Sequence, residues 1–207
     1  MDYRRTYRSA AIAFADLVSR IPPDRLDGPG LGEWTLRDLL GHTVSSALRQ
    51  VPQALSQQAP MLVVPAPEAY FAAVHRAPKE LLAAARTAST DDARATGKAL
   101  GDNPADAVSG FVGQATAALA AAGDDDLITT PAGGMRVRDW LPTRTFELTV
   151  HATDAAEASG QPISLDPDTL AETAALAARI AAAIGEGQVA LRALTGRASL
   201  PAGFTVI

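Results

Sequence analysis

Glu147 and His151 are the residues whose types and spacing most directly suggest chemistry. They lie four residues apart in the segment "FELTVHATD", within an alanine-rich region of helical composition. Because each residue of an α-helix turns by about 100°, the two side chains are expected to project side by side from one helix face. A carboxylate and an imidazole in an apolar run predict a metal site, an internal ion pair or a polar edge of the core.

Two further polar residues fall on the same stripe of this predicted helix. Arg144 comes three residues before Glu147, and Asp154 comes three residues after His151. We predict both as catalytic residues: Asp154 would orient the imidazole of His151 as a metal ligand by bonding its other ring nitrogen, and Arg144 would hold a carboxylate of the substrate. For Arg144, an ion pair with Glu147 or Asp154 is an equally good interpretation.

A third candidate ligand is His42, in the segment "WTLRDLLGHT". Apolar residues surround it at helical spacing, and the chain contains only three histidines. Two histidines and one glutamate from neighbouring helices form a suitable ligand set for Zn²⁺, with a fourth position left for water or substrate. We therefore predict a divalent metal, preferably zinc, bound by His42, Glu147 and His151.

The remaining histidine and the two tryptophans favour structural interpretations. His75 lies beside Arg76 and Lys79, and a lone histidine among basic residues is typical of a solvent-facing position. Trp34 and Trp140 each lie near the start of a predicted helix, where large aromatic side chains usually anchor the helix in the core.

The bulk composition excludes several classes of function. The 207 residues contain no cysteine, which excludes disulfides, thiolate metal sites and a cysteine nucleophile. The net charge of −5 and the scattered basic residues argue against nucleic-acid or membrane binding. The N-terminal segment has the spacing of an amphipathic helix rather than of a signal peptide. We expect a cytoplasmic monomer or homodimer that acts on small molecules.

Helical periodicity dominates the chain. Thr35 and Asp38 predict a capped helix start just before His42, and Gly133 and Gly134 predict a turn, as in a small hairpin. A polar stretch over 88–104 predicts a loop or a short helix. The predicted helices cover 3–20, 36–57 with a kink at Pro52, 68–87 with a kink or break at Pro78, 105–122, 137–158, a stretch opening at 166–167, and 188–195.

Two motifs resemble a known family. "GEWTLRDLLGHT", followed by "RTFELTVHATDAAEASGQP", is similar to the DinB-like superfamily, in particular to mycothiol-dependent maleylpyruvate isomerases. The resemblance implies an all-α, DinB-like four-helix bundle with additional short helices and a possible small hairpin. It also implies His42, Glu147 and His151 as metal ligands. We expect a metal-binding bundle over residues 1–160 and a C-terminal helical extension over 161–207 packed on it.

The resemblance also implies a class of reaction. Members use mycothiol, a low-molecular-weight thiol, with a divalent metal that is usually zinc. Full isomerases of the family carry a larger C-terminal domain than residues 161–207 provide, so we do not expect maleylpyruvate isomerisation itself. The leading interpretation is a mycothiol-dependent S-transferase or isomerase acting on a small electrophile. The alternatives are a metal-dependent hydrolase and a non-catalytic small-molecule-binding bundle with a residual metal site.

Overall fold

The computed structural model describes residues 2–207, and helices account for most of them. A short 3₁₀ turn over Pro23–Arg25 follows the first helix, and one antiparallel hairpin interrupts the helical order. The elements are α1 (Tyr3–Ser19), α2 (Leu36–Thr43), a π-helical segment (Val44–Arg49), α3 (Gln50–Leu55), α4 (Pro67–His75), α5 (Lys79–Ala99), α6 (Pro104–Ala121), β1 (Leu127–Thr130), β2 (Gly133–Arg136), α7 (Val137–Ser159), α8 (Pro167–Ala183) and α9 (Gly187–Leu194).

The helices enclose one apolar core, as the all-α prediction requires. α1 packs against α6 and α7, α2 packs against α5 and α7, and α3 packs against α6. The core side chains come from several helices and are almost fully buried: Phe14, Leu40, Leu48, Trp140 and Leu148. Because α2 and α7 share this core, polar residues on their facing sides are brought together inside the bundle.

The start of α2 is capped as predicted. The Thr35 hydroxyl accepts a hydrogen bond from the Asp38 amide, and the Asp38 carboxylate accepts one from the Thr35 amide, both at 3.1 Å. This reciprocal pair satisfies two amide groups that a helix start leaves free. It fixes where α2 begins, and His42 therefore lies near the end of its second turn.

Three predicted features of the helix boundaries can be compared with the structure. The stretch 88–104, predicted as a loop or short helix, belongs largely to α5, whose buried residues are small: Ala93, Thr96 and Gly97. Such residues give little apolar periodicity, which explains the error. The predicted break at Pro78 is confirmed, since α4 ends at His75 and α5 begins after Pro78. The helix predicted over 36–57 is divided into α2, the π-helical segment and α3, which contains Pro52; the predicted kink at Pro52 stays a prediction.

Two glycines allow α2 and α5 to approach closely. A β-carbon on Gly97 would lie 2.5 Å from the carbonyl oxygen of Arg37, and one on Gly41 would overlap the backbone of Ala93 and Gly97. Real β-carbons are never so close to backbone atoms, so larger side chains would force the helices apart. The close packing places α5 directly beside His42.

The C-terminal elements lie on the bundle. Leu176 and Ile180 of α8 are buried, and the hydroxyl of Thr169 donates to the carbonyl of Thr6 in α1. α9 has no buried residue. Nothing in this packing divides the chain at residue 160, so the predicted boundary between a bundle and an extension stays a prediction. No helix within residues 2–207 is long and apolar enough to cross a membrane.

Candidate metal centre

The packing of α2 on α7 brings His42, Glu147 and His151 together. One potential ligand atom from each residue can be chosen so that all of them lie within 4.8 Å of one another. His42 comes from α2, whereas Glu147 and His151 are one turn apart on α7. The predicted ligand set is therefore a spatial cluster at the interface of two helices.

His151 lies between two carboxylates of its own helix. Its Nε2 atom is 3.3 Å from Glu147 Oε2, and its Nδ1 atom is 3.2 Å from Asp154 Oδ2. The side chains of Glu147 and His151 are only 15% and 9% exposed. Asp154 thus holds the ring from the side away from the cluster, as the sequence predicts, and Nε2 faces Glu147.

His42 contacts two residues, Ser89 and Trp34, whose place at the site was not predicted from the sequence. Its Nδ1 atom is 3.3 Å from the hydroxyl of Ser89 on α5, and its ring lies 4.8 Å from the ring of Trp34. Ser89 was missed because it falls in the stretch predicted as a loop. Trp34 was expected as a core anchor; it is half-buried and covers one side of the imidazole.

The two imidazoles differ in protonation in the metal-free protein. Burial, reinforced by the charge of His151, lowers the pKa of His42 to about 4. Burial also disfavours charge on His151, but the hydrogen bonds of Asp154 and Glu147 outweigh it and raise the pKa of His151 to about 9. At neutral pH one imidazole is therefore neutral and the other is a cation.

Glu147 is the negative partner of that cation. Burial alone would raise its pKa, but the hydrogen bond with His151 and the positive charge of Arg144 lower it below the usual value. At neutral pH the cluster therefore holds an ionised carboxylate against an imidazolium. A divalent cation would replace the proton on His151. The positive charge of the cation would then balance the negative charge of the Glu147 carboxylate.

The donor set fits zinc. Two imidazole nitrogens and one carboxylate oxygen are ligands that Zn²⁺ accepts, and catalytic zinc sites use three protein ligands with one position left for water or substrate. Asp154 completes the pattern, since a histidine that binds a metal usually donates its other ring N–H to a carboxylate. Ser89 stands in the corresponding position beside His42.

Arg144 lies one turn before Glu147 and is buried. Its Nη1 atom donates to the carbonyl of Ser46 at 2.8 Å and to the Gln50 side chain at 2.7 Å, and its guanidinium lies over the ring of Tyr70. Within residues 2–207 it makes no ion pair with a carboxylate, so the predicted pair with Glu147 or Asp154 does not form. Arg144 instead connects α7 to the π-helical segment. Its predicted role toward a substrate carboxylate stays a prediction.

The structural interpretations of His75 as solvent-facing and of Trp140 as a core anchor are confirmed. His75 is exposed at the end of α4 and takes no part in the cluster. Trp140 is fully buried in the core, in keeping with the predicted anchor.

Comparison with known proteins identifies a family for the chain. No curated protein and no solved structure matches the chain. A family described as the mycothiol maleylpyruvate isomerase N-terminal domain matches residues 7–156, a span that runs from within α1 through most of α7 and includes all the cluster residues. The match covers well over half of the chain, and the helical fold is that of the DinB-like superfamily. The protein belongs to the mycothiol maleylpyruvate isomerase N-terminal domain family.

Proposed function

We propose that this protein is a mycothiol-dependent metalloenzyme, an S-transferase or isomerase for a small electrophile. The observation that carries the proposal is the convergence of His42, Glu147 and His151 from two helices, with Asp154 behind His151. The family name supports mycothiol as the thiol. A divalent cation bound by these residues, zinc by preference, would lower the pKa of a coordinated thiol and stabilise the thiolate.

The chain's own residues have defined tasks in this proposal. His42 is neutral near pH 7 and offers an imidazole lone pair without losing a proton. His151 must release its proton, and Asp154 then keeps the ring oriented by accepting from Nδ1. Because the sequence contains no cysteine, the attacking sulfur must come from a bound molecule.

A hydrolase is the less favoured alternative. A metal-bound water needs a nearby base, and the best candidate on this face of α7 is Asp154. That carboxylate already bonds His151, on the side away from Glu147. This contact supports a role for Asp154 in orienting a ligand over a role in accepting a proton from water.

Turnover of a simple electrophile tests the proposal. We would mix zinc-loaded protein with 1-chloro-2,4-dinitrobenzene, with and without mycothiol, and follow the absorbance of the thioether. In this reaction the sulfur–carbon bond forms, the carbon–chlorine bond breaks, chloride leaves and the thiol proton passes to solvent. We expect turnover that requires both thiol and metal and that is lost in His151→Ala.

Other outcomes separate the alternatives. Ester or amide hydrolysis that is independent of thiol would contradict the proposal and favour the hydrolase. Thiol binding without turnover of any electrophile in a panel would favour the non-catalytic binding bundle.

A further inference from the structure

A cavity of about 500 Å³ lies between α5 and α6, next to the end of the π-helical segment. None of the three candidate metal ligands lines it. Its volume falls within the range of about 300–1,000 Å³ that is typical of small-molecule pockets. The candidate metal centre does not account for this space.

One wall of the cavity is a fixed polar array. Arg49 donates from Nη2 to both carboxylate oxygens of Asp92, at 2.6 and 2.7 Å, and from Nη1 to the hydroxyl of Thr96 at 3.0 Å. The side-chain amide of Gln114 adds a donor and an acceptor. Since Arg49 and Asp92 neutralise each other, this wall suits a neutral ligand with many hydroxyl groups better than an ion.

The rest of the lining is apolar. Phe111 and Leu100 are its largest apolar side chains, and three alanines also line it. A ring molecule whose hydroxyl groups face Arg49 and Asp92 could place its C–H face on Phe111. Pockets of this kind, mostly apolar with a few convergent polar groups, orient a small molecule through those polar groups.

α5 connects this cavity to the candidate metal centre. Ser89 lies 3.3 Å from His42 Nδ1, and Asp92, three residues later on the same helix, lines the cavity. Three residues of α-helix rise by about 4.5 Å. The edge of the cavity at Asp92 therefore lies about one helical turn from Ser89, and a ligand in the cavity could extend an arm along α5 toward the cluster.

We propose that the α5–α6 cavity binds the hydroxyl-rich headgroup of the thiol cosubstrate, with its thiol arm passing Ser89 to the metal centre. Mycothiol has this form, since its cysteinyl arm is attached to a glucosamine–inositol headgroup. The inference rests on the proposed function for the identity of the thiol. The cavity itself is tested separately by the headgroup alone.

Two glycines of α6 provide a blocking variant and its control. Gly110 lines the cavity, and a β-carbon built on it meets no atom within 4 Å. The β-carbon of Gly110→Leu therefore displaces no neighbouring atom, and the added isobutyl group is intended to occupy the cavity. Gly113 is exposed on the same helix, also has free space around its β-carbon, and is not among the lining residues. Gly113→Leu is the matched control.

Calorimetric titration of the zinc-loaded proteins tests the proposal, with mycothiol and with N-acetylcysteine, which carries the thiol arm without the headgroup. We expect Gly110→Leu to weaken mycothiol binding by about tenfold or more, equivalent to about 1.4 kcal/mol. Its affinity for N-acetylcysteine should not change, and Gly113→Leu should bind both thiols like the wild type. Equal mycothiol affinity in the wild type and Gly110→Leu would overturn the cavity assignment while leaving the proposed function intact.

N-Acetylglucosaminylinositol, the neutral headgroup without the thiol arm, separates the two claims further. Nuclear magnetic resonance titration of the metal-free protein should show binding to the wild type and to Gly113→Leu, and loss of binding in Gly110→Leu. Headgroup binding with no binding of either thiol to the zinc-loaded protein would support the cavity and contradict the proposed function. Absence of headgroup binding to the wild type would overturn the cavity assignment.

Discussion

The imidazole rings of His42 and His151 meet edge to face, with their centroids 4.8 Å apart and their planes at 80°. One ring comes from α2 and the other from α7, so only the folded bundle creates this relationship. Their environments are opposite: the first is neutral at pH 7, and the second is held as a cation by Glu147 and Asp154. A metal that binds both must therefore displace one proton.

Zinc affinity should depend on pH through His151. Its pKa of about 9 in the metal-free protein means that zinc competes with a bound proton at every lower pH. We expect affinity to rise by about tenfold for each pH unit between 6 and 8 and to level off above about 9. Competition with a chromophoric chelator would measure it. A constant affinity between pH 6 and 8 would contradict the protonation scheme.

Asp154→Asn should weaken zinc binding without unfolding the bundle. The substitution removes the carboxylate that accepts from His151 Nδ1, and loss of such a partner typically lowers metal affinity by about 10–100-fold. The zinc affinity should also level off at a lower pH than in the wild type, because the substitution lowers the pKa of His151. Glu157→Gln, an exposed position on the same helix, serves as the control. Zinc affinity equal to that of the control would refute the assigned role.

The stability of the metal-free protein should be greatest near pH 6.5. His42 has a lowered pKa of about 4, so between about 6.5 and 4 the unfolded chain takes up a proton that the folded protein does not, and stability falls. His151 has a raised pKa of about 9, so its contribution is complete below about 6.5 and is lost as the pH rises to 9.

Urea denaturation across this pH range would measure both slopes. His42→Asn should weaken the pH dependence of the free energy of unfolding below about pH 6.5. His151→Asn should weaken it above about pH 6.5. Slopes that remain unchanged in both variants would show that other groups control the pH dependence.

Gly41→Ala should disturb the metal centre through the packing of α2 on α5. The new methyl group overlaps the backbone at Ala93 and Gly97, and inserting a carbon into a packed interface typically costs about 1–3 kcal/mol. We expect a lower free energy of unfolding and weaker zinc binding, since His42 is the next residue. Gly113→Ala, where the methyl group meets no atom within 4 Å, should be neutral or stabilising. Equal stability of the two variants would contradict this explanation.

The sequence predicts the ligand cluster because its members follow helical rules. Glu147, His151 and Asp154 share one stripe of α7 through spacing alone, and the capping residues fix the start of α2 before His42. Ser89 could not be predicted in the same way. It lies on a helix that packs through Ala93 and Gly97, and small residues leave almost no apolar periodicity to detect.

The surroundings of Arg144 could not be predicted either. Spacing places it one turn from Glu147, which made an ion pair reasonable. In the structure its guanidinium bonds Ser46 and Gln50 instead. The π-helical segment that carries Ser46 has no signature in the local sequence, so the contact depends on tertiary packing.

Metal content tests the central claim most directly. The protein should be purified without chelators or a histidine tag, loaded with zinc, dialysed and analysed by mass spectrometry for metals, beside His42→Ala, His151→Ala and exposed-site control His75→Ala. We expect about one zinc per chain in the wild type and His75→Ala, and almost none in the other two variants, which should keep the helical circular dichroism of the bundle. Stoichiometric zinc in His42→Ala or His151→Ala, or none in the wild type, would contradict the three-residue metal centre.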